Sequence, residues 1–189
     1  MSRQGRKRLD CNTWSRRRFC GAIGAAALFQ GASAAAQTPE DRLAAQQMVL
    51  PPPPRTIASY LPYRRTGSLL FIAGQIPMRD GQVLHPGSVP DRVGIDDARF
   101  AARQCALQLL SVARLAAGSL DRISQVVRLE GFVNSASGFG DQPLIIDAAS
   151  DLLEEILGKA GKHARIAVGV CALPRNASVE IAAILEVRL

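Results

Sequence analysis

Val179-Glu180-Ile181-Ala182-Ala183-Ile184-Leu185-Glu186-Val187, close to the C-terminus, is the stretch whose reading decides the fold. Val179, Ile181, Ala183, Leu185 and Val187 alternate with Glu180 and Glu186, and Arg188 continues the polar set. A period of two with one apolar side fits a half-buried strand. Ile166 to Cys171 is a shorter apolar run ahead of it, and Leu173-Pro174-Arg175-Asn176 between the two suits a turn. The pair is therefore expected to form a hairpin. Such a hairpin sets Glu180 opposite about Cys171 and leaves Arg165 about six residues further along, roughly 20 Å away at ~3.3 Å per residue.

Upstream the period changes. Ala98, Ala101, Ala102, Cys105, Leu109 and Val112 recur at spacings of three and four, with Arg99, Arg103 and Arg114 off that stripe. Asp96 or Asp97 can cap this helix and Gly118 can end it. A second helix begins at Asp141 with Pro143 in its first turn, buries Ile145, Ala148, Ala149, Leu152 and Ile156, and stops at Gly158. Ile123 to Val133 reads as a strand between them. Toward the N-terminus, Ile57 to Tyr63 and Leu69 to Ala73 are strand-like and flank a turn at Arg64-Arg65-Thr66-Gly67. Asp80-Gly81 marks another turn, before a short strand near Val83-Leu84, and residues 86–94 form a loop. The order is β-β-β-α-β-α-β-β, an α+β domain with a mixed sheet and two helices on one face. Too little chain remains to cover the other face, so identical subunits are expected to bury it.

Composition narrows the class. The chain has 189 residues, 48% hydrophobic and 21% charged, which is too apolar for a disordered chain and long enough for one core. It has no run of about 18 strongly apolar residues, so no stable membrane span is expected. The net charge of +7 is concentrated in residues 1–36, which hold seven Lys and Arg against one Asp. Residues 37–189 keep 16 basic against 15 acidic side chains, too balanced for the electrostatic footprint of a nucleic-acid binder. Residues 1–36 have a basic head, a short apolar middle from Gly21 to Phe29 and an Ala34-Ala35-Ala36 exit, the parts of a signal peptide. Ser15-Arg16-Arg17-Arg18-Phe19 resembles the twin-arginine export signal, which implies a periplasmic protein folded before it crosses the membrane.

An Ala- and Gln-rich arm with room for a short helix follows, and Pro51-Pro52-Pro53-Pro54 extends it as a linker, so residues 37–54 precede a domain at 55–189. Cys11 and Cys20 leave with the leader. Cys105 in a helical stripe and Cys171 in an apolar strand are expected as small buried hydrophobes. With only His85 and His163 and no C-x-x-C, neither a metal nor a cofactor is expected. His163, beside Arg165, reads first as a surface loop histidine, with tuning of a site at Arg165 as the alternative.

Leu70-Phe71-Ile72-Ala73-Gly74-Gln75-Ile76-Pro77 resembles the strand-turn signature of the RidA/YjgF family, also called endoribonuclease L-PSP or chorismate-mutase-like. Ala164-Arg165-Ile166-Ala167-Val168, Leu173-Pro174 and Val179-Glu180-Ile181 resemble its C-terminal signature at the same internal spacing. Leu50-Pro51-Pro52-Pro53-Pro54, Gly131-Phe132-Val133-Asn134 and Ala149-Ser150-Asp151-Leu152-Leu153 resemble a subgroup of it. The resemblance covers about residues 50–189. It implies a homotrimer with clefts between subunits and hydrolysis of reactive enamines and imines to 2-oxo acids and ammonia.

By the same resemblance Arg165 holds the substrate carboxylate and Glu180 positions water, while Tyr60, Ala73 and Gly74 line the cleft. A guanidinium grips a carboxylate with two prongs, which lysine cannot do, and an acid near the electrophilic carbon can serve as general base. The chain departs from the family at Ala73, near Pro143 and at Ala167, where the pattern has Ser, Asn and Cys. The hydrolase is the leading reading; these losses favour the second, a trimer that only binds small carboxylates, and the older family name adds an endoribonuclease as a third.

Overall fold

A computed structural model describes residues 37–54 and 59–189. Residues 1–36 and 55–58 lie outside the described residues, and with them the expected export signal and the start of the strand expected at Ile57. The first helix, α1 (Pro39–Ala45), begins with a reciprocal cap: Thr38 Oγ1 accepts from Asp41 N–H, and the Asp41 carboxylate accepts from Thr38 N–H.

Strand β1 (Tyr63–Thr66) turns into β2 (Leu69–Gln75) through Gly67-Ser68. Arg64, Arg65 and Thr66, expected in the turn, belong to β1, because the chain reverses only where Gly67 takes a φ of +55°. The turn at Asp80-Gly81 links two short strands, β3 (Met78–Arg79) and β4 (Gln82–Val83), which pair as a separate ribbon.

Helix α2 (Ile95–Ala117) buries the whole expected stripe, from Ala98 to Val112. It starts one residue before Asp96, with Gly94 as its cap, and ends at left-handed Gly118. Strand β5 (Ile123–Asn134) and helix α3 (Gln142–Leu157) follow. Ile145, Ala149, Leu152 and Ile156 are buried as expected, and so are Ile146, Leu153 and Leu157, while Ala148 is half-buried. Strands β6 (Ala164–Val170) and β7 (Val179–Val187) complete the chain.

The five-stranded sheet runs β1-β2-β7-β5-β6, with β5 and β6 parallel and every other pair antiparallel. The expected β6–β7 hairpin does not form. Strand β5 lies between them, because α3 carries the chain from β5 to its parallel neighbour β6 as a crossover, leaving β6 on the edge. The segment from Cys171 to Ser178 then passes β5 to reach the centre of the sheet. Cys171 falls just beyond β6 and is exposed, contrary to the sequence reading, whereas Cys105 is buried.

Helices α2 and α3 pack on one face, with Leu70, Ile72, Leu129, Val133, Ile181, Ala183 and Leu185 of the sheet beneath them. Residues 37–54 are docked on this helical layer. Leu43 is buried, Arg42 Nη1 donates to the Ile156 carbonyl at 2.9 Å, and Ser111 Oγ donates to the Pro51 carbonyl at 2.6 Å. The opposite face of the sheet is open. Phe71, 41% exposed, and half-buried Phe132, Ala182 and Ile184 lie on it.

Candidate functional site

Glu180 is the second residue of central strand β7. It pairs with Phe132 and faces the open side of the sheet, as the alternation predicts. Strand β2 bulges beside it: Ile72 pairs with Ala183 but Gln75 with Ile181, which sets Ala73 and Gly74 out of regular register. The Glu180 carboxylate fills the space this creates, so a Cβ at Gly74 would overlap Glu180 Oε1. Burial raises the Glu180 carboxyl above the ordinary carboxylate range. Burial also pushes the thiol of Cys105 well up, and the Glu180 charge adds to that.

Ala73 and Gly74 therefore meet Glu180 at one end of the open face. Ala73 N–H donates to the Pro62 carbonyl at 3.0 Å, which brings the segment carrying Tyr60 to the same end. Tyr60 is 59% exposed and precedes β1. Beside it a solvent-open hollow of about 460 Å³ is lined by Leu61, Pro62, Tyr63, Arg64 and Arg65.

Arg165 stands elsewhere. It is the second residue of edge strand β6 and pairs with buried Leu129, so it faces the helical layer. Its Nη1 donates to Asp147 Oδ1 at 2.7 Å and to Ser150 Oγ at 2.9 Å, both on α3. Asp147 and Ser150 are three residues apart and share a helix face. Among the described residues no contact joins Arg165 to Glu180. They face opposite sides of the sheet, two strand spacings and three residues of register apart, or roughly 14 Å between backbones.

The candidate residues thus fall into two separate groups on one chain, an acidic one at Tyr60, Ala73, Gly74 and Glu180 and a cationic one at Arg165. Ala167 pairs with Gly131 on the helix side and packs against the core, and exposed Pro143 lies one helical turn before Asp147. His163 is half-buried with both ring nitrogens in contact, Nδ1 with the Gly161 carbonyl and Nε2 with Ser150 Oγ, instead of lying free on a surface loop. Asp147 and Ser150 were missed by the sequence reading. The only signal for them is their i, i+3 spacing on the α3 face turned to the edge strand, and the chain does not announce which strand holds the edge.

The fold defines a class of α+β domains whose sheet keeps one face open. The pattern of the family described as "YjgF/chorismate mutase-like, putative endoribonuclease" matches residues 40–186, and the chain belongs to that family. Protein TCP17 of Trypanosoma cruzi is 38% identical over 138 residues, covering 72% of this chain and 86% of its own. Protein Atu1372 of Agrobacterium tumefaciens, of unknown function, superposes with a TM-score of 0.73 at 40% identity, over 80% of this chain and 93% of its own. A Shewanella oneidensis protein that carries the same endoribonuclease description superposes with a TM-score of 0.76 at 34% identity, over 79% and 99%.

Proposed function

We propose that the protein hydrolyses reactive enamines and imines of small amino acids to 2-oxo acids and ammonia, in clefts between the copies of a homotrimer. The supporting observation is the division of complementary chemistry between two separated half-sites. An arginine with a quarter of its side chain exposed sits at one sheet edge, and a carboxyl raised by burial sits on the open face. A neighbouring copy that covers the open face can bring its Arg165 to this chain's Glu180.

In that seam the guanidinium grips the substrate carboxylate. Glu180 takes a proton from water as its oxygen adds to the imine carbon and gives it to the nitrogen, then carries the remaining hydroxyl proton to that nitrogen as the C–N bond breaks, so that C=N and water become C=O and ammonia. Fixing substrate and water together supplies much of the acceleration. The step asks for no redox change and no covalent enzyme intermediate.

The test is ammonia release from an imine generated in situ, compared between the wild type and Arg165→Ala. Loss in the variant supports the hydrolase, and equal rates remove it. A second reading is a trimer that only binds small carboxylates. Ala73 and Ala167 favour it, since they leave the site without a hydroxyl and a thiol found in the family pattern. That reading predicts carboxylate binding lost in Arg165→Ala with no ammonia release by either protein. The endoribonuclease description of relatives is the third reading, and the charge balance of residues 37–189 weighs against it. The basic head, short apolar middle and Ala34-Ala35-Ala36 exit of residues 1–36 support reading the protein as periplasmic.

A further inference from the structure

Ser150 stands at the centre of a polar cluster around Arg165, of which the hydrolysis reading uses the arginine alone. Its Oγ lies 2.9 Å from Arg165 Nη1, 3.2 Å from His163 Nε2 and 3.4 Å from the Ile146 carbonyl. His163 Nδ1 lies 2.6 Å from the Gly161 carbonyl. The donors and acceptors constrain the direction of these bonds. A carbonyl only accepts, so Nδ1 carries the hydrogen, and in the neutral ring Nε2 is then an acceptor. The Ser150 hydroxyl has one hydrogen, for which Nε2 at 3.2 Å and the Ile146 carbonyl at 3.4 Å compete; in the lock it goes to the nearer Nε2, and the Oγ lone pairs are left for Nη1, which only donates. Asp147 Oδ1 holds the same nitrogen at 2.7 Å.

These bonds converge on one end of the guanidinium. Among the described residues Nη2 and Nε of Arg165 have no partner within the chain. We propose that Asp147, Ser150 and His163 are positioning residues that lock Arg165 by Nη1 and turn its Nε–Nη2 edge outward as a preformed, two-pronged carboxylate clamp. The inference rests on the reading of Arg165 as the carboxylate-binding group. Arginine held in this way has already lost its rotamer freedom before the ligand arrives, so binding loses less to ordering. The clamp is built entirely from one chain, β6 with α3, and is ready before any neighbour adds Glu180.

Two readouts test this. The first is ammonia release together with binding of pyruvate, a small 2-oxo acid, by Ser150→Ala, His163→Leu, His163→Gln and Arg165→Ala. Removing one bond to the charged group in Ser150→Ala, or its orienting partner in His163→Leu, is expected to raise KM and the pyruvate Kd about tenfold, with kcat within about twofold. His163→Gln, whose amide oxygen can accept from Ser150 at the Nε2 position, is expected to stay within about threefold of wild type. Wild-type KM and Kd in both Ser150→Ala and His163→Leu overturn the proposal.

The second readout is the ¹⁵N spectrum, recorded with the His163 ring neutral. The lock requires hydrogen on Nδ1 and a bare Nε2, and it requires separate Nη1 and Nη2 signals for Arg165 that average in Ser150→Ala. Hydrogen on Nε2, or averaged signals in the wild type, overturns the lock. If Arg165→Ala itself leaves pyruvate binding and ammonia release unchanged, the carboxylate reading fails. The nitrogen signals then decide separately whether the guanidinium is locked.

Discussion

Gly74 has no side chain because the Glu180 carboxylate occupies the place where one would stand. The overlap in Gly74→Ala is with the far end of a flexible side chain, so Glu180 can swing away at little cost to the fold. The expected outcome is a stability within about 1 kcal/mol of wild type in a denaturant titration, with ammonia release reduced because the carboxylate has moved. Glu180 also sets a pH signature. Its carboxyl titrates higher in the folded than in the unfolded chain, so the folded state keeps the extra proton. That contribution is complete below the ordinary carboxylate range and is lost as pH rises through the raised value. Stability should therefore fall with pH across that window, and Glu180→Gln should flatten the slope of denaturant midpoint against pH. Among the two cysteines of the described domain, exposed Cys171 should react with a thiol reagent in the native state. Buried Cys105, its thiol held protonated, should react only on unfolding. At this scale the sequence carried Arg165 and Glu180 through a motif, but their surroundings depend on strand neighbours that no local pattern encodes.

Helices α2 and α3 were legible because a stripe of period 3.6 is written over more than three turns in each, and Gly118 and Gly158 end them in backbone conformations open to glycine. The last strand was legible from its alternation. The β6–β7 pairing was not, since a turn-like Leu173-Pro174-Arg175-Asn176 describes a local reversal equally well whether the next strand lands beside β6 or one position further in. Burial along β5 holds part of the answer: Leu129, Gly131 and Val133 face the helices, and β5 is hydrogen-bonded on both sides. Gly131 is where α3 comes closest. An added Cβ would lie 2.6 Å from Ile146 Cδ1 and Cγ1, deep under the helix. Gly131→Ala should cost about 1–3 kcal/mol by overpacking, read as a lower denaturant midpoint with the m-value unchanged.

At the scale of the whole molecule, one face of the sheet is sealed by helices and by the docked arm, and the other presents Phe71, Phe132, Ala182 and Ile184 beside the Arg128–Glu130 ion pair of β5. Helices on one face and an open sheet on the other were readable from element order and chain length. The partner that covers that sheet was readable only as an expectation from symmetry and family resemblance. If copies of the chain cover it, Phe71→Glu should yield a monomer in sedimentation and lose ammonia release while Arg165 and Glu180 are intact. The most direct test of a site shared between subunits is complementation. Arg165→Ala and Glu180→Gln proteins, each inactive alone, are unfolded together in equal amounts and refolded. With random assembly, each seam has one chance in two of an intact arginine and one in two of an intact glutamate from its neighbour, so about a quarter of wild-type ammonia release should return. A mixture that assembles fully and stays as inactive as its components would contradict a site built from two chains.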